Sequence, residues 1–230
     1  MTQNNNKLPE KNLLGKVLDW SYTKAVSGLS GVDSAYELAN EYLSQGKSLN
    51  EQVDALIKWQ VAKSAASGFV TGLGGLMTLP VAVPANIASV MYVQIRMICA
   101  IAHMGGHDIR SDKVKTFIYL CMVGNGAKEL LKNLSVRASE KVLIKTINSL
   151  INQLSVRLTT KVGEKGATSL GKVVPVLGGI VGGSLDAVST RVIGKVAKKI
   201  FIEEKEKMEQ IFEILPDTIE PIEKEKDNNN

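Results

Sequence analysis

The residues whose types and spacing could support chemistry are metal-ligand types close together in the chain: Cys99, His103, His107, Asp108 and Cys121. Cys99 and His103 are four positions apart, so on a helix they share one face. The following Gly105-Gly106 pair breaks that helix and takes His107 off the shared face. We therefore predict no metal site, and we keep a hydrolase with a site near His103, His107 and Asp108 as one alternative.

Sequence motifs for the common reactions are missing. The chain contains no G-x-S-x-G, no Walker sequence and no H-E-x-x-H. The glycine run that begins at Gly72 lacks the flanking strand and the lysine that phosphate loops need. The sequence therefore predicts no catalytic residue, no cofactor and no cofactor-binding residue.

Two charged residues, Arg96 and Asp186, each directly follow a long apolar stretch of the sequence. A single charge in such surroundings costs several kcal/mol unless it is paired. Our hypothesis is that the two stretches pack together and that these residues form an ion pair, with Gln94 and Asn86 supplying hydrogen bonds. The alternative is that each charge reaches solvent separately.

The stretch that must position these residues runs from Ser64 to Ile95 and contains no charged residue. A segment of that length and composition is either the buried centre of a helical domain or in contact with lipid. Glycines and prolines disfavour a continuous helix, so we predict a break between Thr71 and Pro84. A long apolar helix should then run from Pro84 to His103.

A second apolar stretch, from Val173 to Leu185, has a similar composition of proline and paired glycines. From Gly178 onwards small or polar residues recur every four positions, which on a helix makes a smooth stripe suited to close packing. The candidate residues for membrane contact or helix packing in the two stretches are Gly68, Gly72, Gly75, Pro80, Pro84, Pro175, Gly178, Gly182 and Gly194.

Insertion of the first stretch into a bilayer is energetically marginal. Its leucine, isoleucine, valine and phenylalanine residues contribute on the order of −5 kcal/mol, which the glycines, prolines, Asn86 and Gln94 oppose. Arg96 in mid-bilayer would add about 3 kcal/mol, so any inserted segment must end before it. A shallow re-entrant hairpin is compatible with these values, and so is a fully soluble core.

Apolar residues at helical spacing along the rest of the chain predict an all-α fold, a single helical bundle with two Gly/Pro-interrupted apolar helical hairpins. Ser48 with Glu51 forms a capping box, and Asp33 or Ser34 caps the preceding helix. A basic helix is expected from Arg137 to Lys161. The predicted organisation is a disordered tail (1–12), a helical domain (13–202), and a charged helix with a disordered tail (203–230).

The charge and cysteine content limit the partners and the compartment. The chain has a net charge of +5, and lysines and arginines crowd its second half, which suits anionic lipid. No nucleic-acid motif accompanies that charge, so no nucleic acid partner is expected. The polar N-terminus has no signal-peptide pattern, and two cysteines in apolar helices suit a reducing compartment, so we expect a cytoplasmic protein.

Glycines, prolines and charges in both apolar stretches follow one recognisable order. The first run consists of Gly68, Phe69, Gly72, Gly74, Gly75, Pro80, Pro84, Asn86, Gln94, Arg96, Met97, Ala102, His103, Gly105, Gly106 and Asp108. The second consists of Arg157, Lys161, Gly163, Gly166, Pro175, Gly178, Gly179, Gly182, Gly183, Asp186, Thr190, Gly194 and Phe201. Together they resemble the bacterial EcsC family over roughly Val32 to Phe201.

That resemblance implies a partner but no reaction. The family is named after a protein encoded beside an ABC-transporter ATPase and its membrane subunit, so it implies a link to an ABC transporter. It carries over no catalytic residue. The chain also looks like a membrane-hairpin domain attached to some bacterial GTPases, although it has no nucleotide-binding motif.

We accordingly expect a non-enzymatic accessory or interaction protein, peripheral or re-entrant at the cytoplasmic face of the cell membrane. The glycine-rich apolar segments would contact lipid or a membrane protein, and the basic helices would contact anionic head groups. Besides the hydrolase, a pore-forming or toxin-like effector is the other alternative.

Overall fold

The computed structural model describes residues 11–65, 85–127 and 175–216, together with five residues between 141 and 149. Within these ranges the side chains of 11–14, 65, 85–87 and 175–186 are not described. The described residues form α-helices and one short π-helix, and they contain no strand beyond an isolated bridge between Leu29 and Val32. The predicted all-α fold is confirmed.

The helices follow one another in this order: α1 (Lys11–Ser27), α2 (Ala35–Leu43), α3 (Leu49–Ala65), α4 (Ala85–Met104), α5 (Asp112–Cys121), α6 (Pro175–Lys198), the π-helix (Lys199–Glu203) and α7 (Lys205–Ile214). The predicted break between Thr71 and Pro84 lies outside the described residues, and so does most of the basic helix predicted over 137–161.

Local sequence signals begin and end several helices. Ser34 caps α2 in a reciprocal capping box with Glu37, and Ser48 makes the same arrangement with Glu51 before α3. The hydrogen bonds from Ser34 and Ser48 lower the pKa of the two glutamates, because they stabilise the carboxylate form. Gly106 follows α4 with a φ of 82°, a conformation that glycine adopts without strain. These ends were predictable from the sequence.

Helix α4 lies at the centre of the fold. Every residue from Met91 to Ala102 is buried, on all sides of the helix. This burial is possible because α1, α2, α3, α5 and α6 all contact α4. A helix that is apolar nearly all round is stable in water only in such surroundings.

The directions of three helices follow from their contacts. Lys198 pairs with Asp54 at 2.8 Å, and a Cβ at Gly194 would lie 3.0 Å from Ile57, so α3 and α6 are antiparallel. Gln94 bonds to Thr190, and Gly105 approaches Phe201, so α4 and α6 are parallel. The C-terminus of α3 and the N-termini of α4 and α6 therefore point to the same end of the bundle, which we call the apolar end.

Helix α6 differs from the expected hairpin. It continues from Pro175 to Lys198 without a turn at its paired glycines. The physical reason is that Pro175 occupies the first helical turn, where proline is tolerated, and that each glycine destabilises a helix by only about 1 kcal/mol. Packing of the C-terminal half of α6 against α3 and α4 outweighs this.

Candidate functional site

Gln94 connects the two helices that continue the apolar stretches. Its Nε2 donates to Ser189 Oγ at 3.0 Å and to Thr190 Oγ1 at 3.1 Å. Gln94 and Thr190 are both buried, so these hydrogen bonds form away from solvent, where an unpaired amide would cost about 1–3 kcal/mol. Helix α4 and the part of α6 that follows the second stretch thus pack together at this point, and packing of the two stretches themselves stays a prediction.

Arg96 is 3% exposed and lies among polar groups from several helices. Its Nη1 donates to Asp33 O at 2.7 Å, and its guanidinium lies 5.8 Å from the centre of the Tyr92 ring. Arg96 Nε and the Tyr92 hydroxyl are buried without a hydrogen-bond partner in the described part of the chain. Burial raises the pKa of Tyr92. Among the described residues, the hydrogen-bond acceptor for this buried cation is a backbone carbonyl.

The predicted partner of Arg96 cannot be compared with this geometry. The side chains of Asp186 and Asn86 lie outside the described residues, although the backbone of both is helical. The Arg96–Asp186 ion pair therefore stays a prediction. Burial lowers the pKa of Lys63, and the nearby Arg96 charge lowers it further, so the two cations are close enough to repel.

A second polar group lies at the opposite end of α4, where His107 is buried. His107 Nε2 donates to Phe201 O at 3.1 Å, and the ring makes edge contacts with Phe201 and Phe212 at 5.3 and 5.8 Å. Phe201 belongs to the π-helix, and such turns are frequent at functional positions. Burial lowers the pKa of His107, because the aromatic surroundings disfavour the imidazolium.

The other residues of the predicted hydrolase site have separate partners. The His103 ring packs edge-on against Tyr36 at 4.8 Å, and Asp108 Oδ1 accepts from Arg110 N at 3.0 Å. Cys99 and Cys121 are buried free thiols whose pKa values are raised by burial. Within the ranges the structure covers, no three metal-ligand side chains come together. Within the described ranges, His103, His107 and Asp108 thus contact different groups.

A profile of the EcsC protein family matches residues 21–202. The chain belongs to the EcsC family. The match begins within α1, ends at the π-helix and includes both groups of polar residues. No curated protein and no solved structure shows significant similarity to the chain.

In this EcsC chain, Gly194 lies where α6 packs closely against both α3 and α4. A Cβ there would be 3.0 Å from two carbons of Ile57 and 3.2 Å from Met97 Cε. The absent side chain lets α6 approach both α3 and α4. Of the other residues predicted for membrane contact or packing, Pro175, Gly178 and Gly182 lie in α6. The remaining ones lie outside the described residues, and they are Gly68, Gly72, Gly75, Pro80 and Pro84.

Several residues of these EcsC sites were not identified from the sequence. The Asp33 carbonyl and the Phe201 carbonyl are backbone groups, so no residue type marks them. Phe212 lies beyond the residues matched by the family profile, in a segment that reads as a charged helix. The close contact of Gly105 with Phe201 O could have been suspected from the sequence. Paired glycines indicate that another backbone approaches closely, as well as that a helix ends.

Proposed function

We propose that this EcsC-family protein is a non-enzymatic accessory protein that attaches to the cytoplasmic face of a bacterial membrane through its apolar end. The observation that carries the proposal is the alignment of α3, α4 and α6. Contacts among these helices show that the C-terminus of α3 and the N-termini of α4 and α6 all lie at the apolar end. Both uncharged stretches of the sequence therefore connect to one end of the bundle, which suits a single attachment surface.

The length of uncharged helix at this end favours insertion into one leaflet. From Pro175 to Leu185, α6 has no charged residue, which corresponds to about 16 Å of helix. That is about half of the hydrocarbon core of roughly 30 Å. No helix in the described ranges is both long and apolar enough to cross a membrane. Shallow insertion is the mode of attachment that fits these lengths.

A membrane protein is the partner that we propose at the same surface. The family is named after a protein encoded beside an ABC transporter, and a transporter subunit offers an apolar surface next to lipid. The hydrolase alternative receives no support from the geometry, because His103, His107 and Asp108 contact different groups.

Membrane attachment is testable by flotation of cell extracts on a density gradient. We expect the wild-type protein to float with membranes at low salt, and Leu177→Glu to shift to the soluble fraction, because it places a charge on the uncharged part of α6. Leu43→Glu is the matched control, since Leu43 is exposed at the end of α2. Circular dichroism would verify that both variants are folded.

Two outcomes of the flotation experiment would contradict the proposal. One is complete recovery of the wild-type protein in the soluble fraction at low salt. The other is equal flotation of Leu177→Glu and the wild type. If the protein does float, co-purification from the floated membranes would identify a transporter subunit or another membrane protein.

A further inference from the structure

Helices α3 and α6 carry several exposed cations and two exposed apolar residues. We call this the α3–α6 basic surface, and its members are Lys58, Trp59, Val188, Arg191 and Lys195. The two helices are antiparallel neighbours, so these residues lie on adjoining helices.

Acidic residues are absent from this part of both helices. Neither 55–65 nor 187–202 contains an aspartate or a glutamate. Asp54 and Glu203, just outside these segments, both contact Lys198, at 2.8 and 3.9 Å. Asp186 directly precedes the second segment, and its side chain lies outside the described residues. The charge that these two helix segments contribute to the surface is therefore entirely positive.

The two apolar residues of the surface are among the most exposed large apolar side chains of the described residues. Trp59 is 53% exposed and Val188 is 62% exposed. Lys63 Nζ lies 5.4 Å from the centre of the Trp59 ring, which places a further cation beside the indole. Tryptophan next to lysine is typical of residues at the boundary between lipid and water, because the indole is amphipathic.

The position of the surface along the bundle fits the same boundary. Val188 follows the uncharged part of α6 by less than one turn, and Arg191 and Lys195 lie one and two turns further from the apolar end. If the apolar end enters the lipid, these cations lie at the depth of the phosphate groups.

We propose that the α3–α6 basic surface binds the anionic head groups of membrane phospholipids. This inference rests on the proposed function and adds to it a lipid class and an orientation. Positive charges at this depth attract an anionic surface, and Trp59 packs between head groups. Each lysine or arginine near such a surface contributes about a fivefold increase in partitioning.

The experiment uses the full-length protein and vesicles of two compositions, phosphatidylcholine alone and phosphatidylcholine mixed with phosphatidylglycerol. The test variant is Arg191→Glu/Lys195→Glu. The matched control is Lys16→Glu/Lys47→Glu, which changes the net charge equally at exposed residues of α1 and of the loop before α3. We expect the test variant to lose roughly 30-fold or more in partitioning onto anionic vesicles, and the control to lose much less.

A second measurement uses the two tryptophans of the chain, Trp20 and Trp59. In the Trp20→Phe variant, the emission of Trp59 should shift to shorter wavelength on anionic vesicles and be quenched by brominated phospholipid. In the Trp59→Phe variant, Trp20 should change less, because it is partly buried against Tyr92 at 6.2 Å.

The outcomes separate this inference from the proposed function. Equal binding to both vesicle compositions, an equal effect of the two double variants, or an unquenched Trp59 on bound vesicles would overturn the head-group surface and leave membrane attachment intact. Binding to soluble polyglutamate as tight as to vesicles would also overturn it, in favour of an acidic protein partner. Failure to bind vesicles or native membranes would reject both proposals.

Discussion

Gly105 is the residue with the tightest backbone contact described in this fold. A Cβ at this position would lie 2.2 Å from Phe201 O, and a backbone oxygen cannot move without shifting the π-helix. We therefore expect Gly105→Ala to lower the free energy of unfolding by about 2 kcal/mol or more, measured by urea denaturation.

Gly15 provides the matched control for that substitution. It lies in α1, and a Cβ added there would have no atom within 4 Å, so Gly15→Ala should stabilise the protein by about 0.5–1 kcal/mol. If both alanine variants have similar midpoints, the close approach of Gly105 to Phe201 is not a constraint on the fold.

His107 makes the stability of the protein depend on pH. Its pKa is lowered from the ordinary value of 6.5 mainly by burial, so the folded state binds fewer protons than the unfolded state. The resulting stability is complete above about pH 6.5 and is lost as the pH falls towards the folded pKa. The free energy of unfolding should therefore decrease on acidification below about pH 6.5.

His107→Phe tests this contribution. The variant keeps an aromatic ring between Phe201 and Phe212 but removes the donor to Phe201 O. It should be about 1–3 kcal/mol less stable at neutral pH and should show a shallower decrease on acidification. An unchanged pH dependence would mean that other groups cause the acid sensitivity.

The sequence identified the types of the candidate site residues better than their partners. Gln94 and Arg96 were recognised because polar residues in an apolar run need hydrogen bonds. The partners that the structure describes are Ser189, Thr190 and the Asp33 carbonyl. Residue type does not reveal that the Asp33 carbonyl accepts from Arg96, nor which hydroxyls accept from Gln94. Both depend on how the chain segments are aligned in the fold.

At the scale of the element, α7 extends the packed domain beyond the family match. Met208, Ile211 and Leu215 are buried although their segment is rich in charge, and Lys113 Nζ donates to Phe212 O at 2.8 Å. The charged side chains occupy the opposite face, as in an ordinary amphipathic helix. We infer that α7 contributes to the stability of the EcsC domain.

Ile211→Ala measures that contribution. Removing a fully buried isoleucine should cost about 2–5 kcal/mol in the free energy of unfolding, because it leaves a cavity beneath α7. Glu213→Ala is the control, since Glu213 is exposed on the same helix and should change stability by less than about 0.5 kcal/mol. Equal stability of both variants in thermal denaturation would show that α7 is not part of the cooperative unit.

Helix ends were predicted more accurately than helix continuity. The capping box at Ser48, the cap predicted at Asp33 or Ser34 and the stop at Gly105-Gly106 depend on a few neighbouring residues, so the sequence contains what is needed to predict them. Continuity of α6 through its glycines depends on packing against α3 and α4, which no local signal contains. The π-helix at Lys199–Glu203 was not predicted either, because no local sequence signal indicates it.

At the scale of the whole molecule, the all-α class followed from apolar residues at helical spacing. The uncharged stretch that includes the first half of α4 was compatible with either a buried centre or contact with lipid. An apolar helix of that length needs cover on every side, and five other helices supply it. The arrangement of those helices was not predictable, because apolar periodicity gives the buried face of a helix but neither its neighbours nor its direction. The parallel pairing of α4 with α6 became known only from contacts such as Gln94 with Thr190.

This parallel pairing has a consequence during synthesis on the ribosome. Helix α4 is complete once Met104 has been translated, but α6 begins about 70 residues later and the Phe201 carbonyl, which covers the far end of α4, follows about a hundred residues later. Throughout that interval a largely apolar helix lacks the cover that α6 gives it, and nascent chains that expose apolar surface aggregate readily. A chaperone, or the membrane surface itself, would have to shelter the unfinished polypeptide until its last quarter emerges.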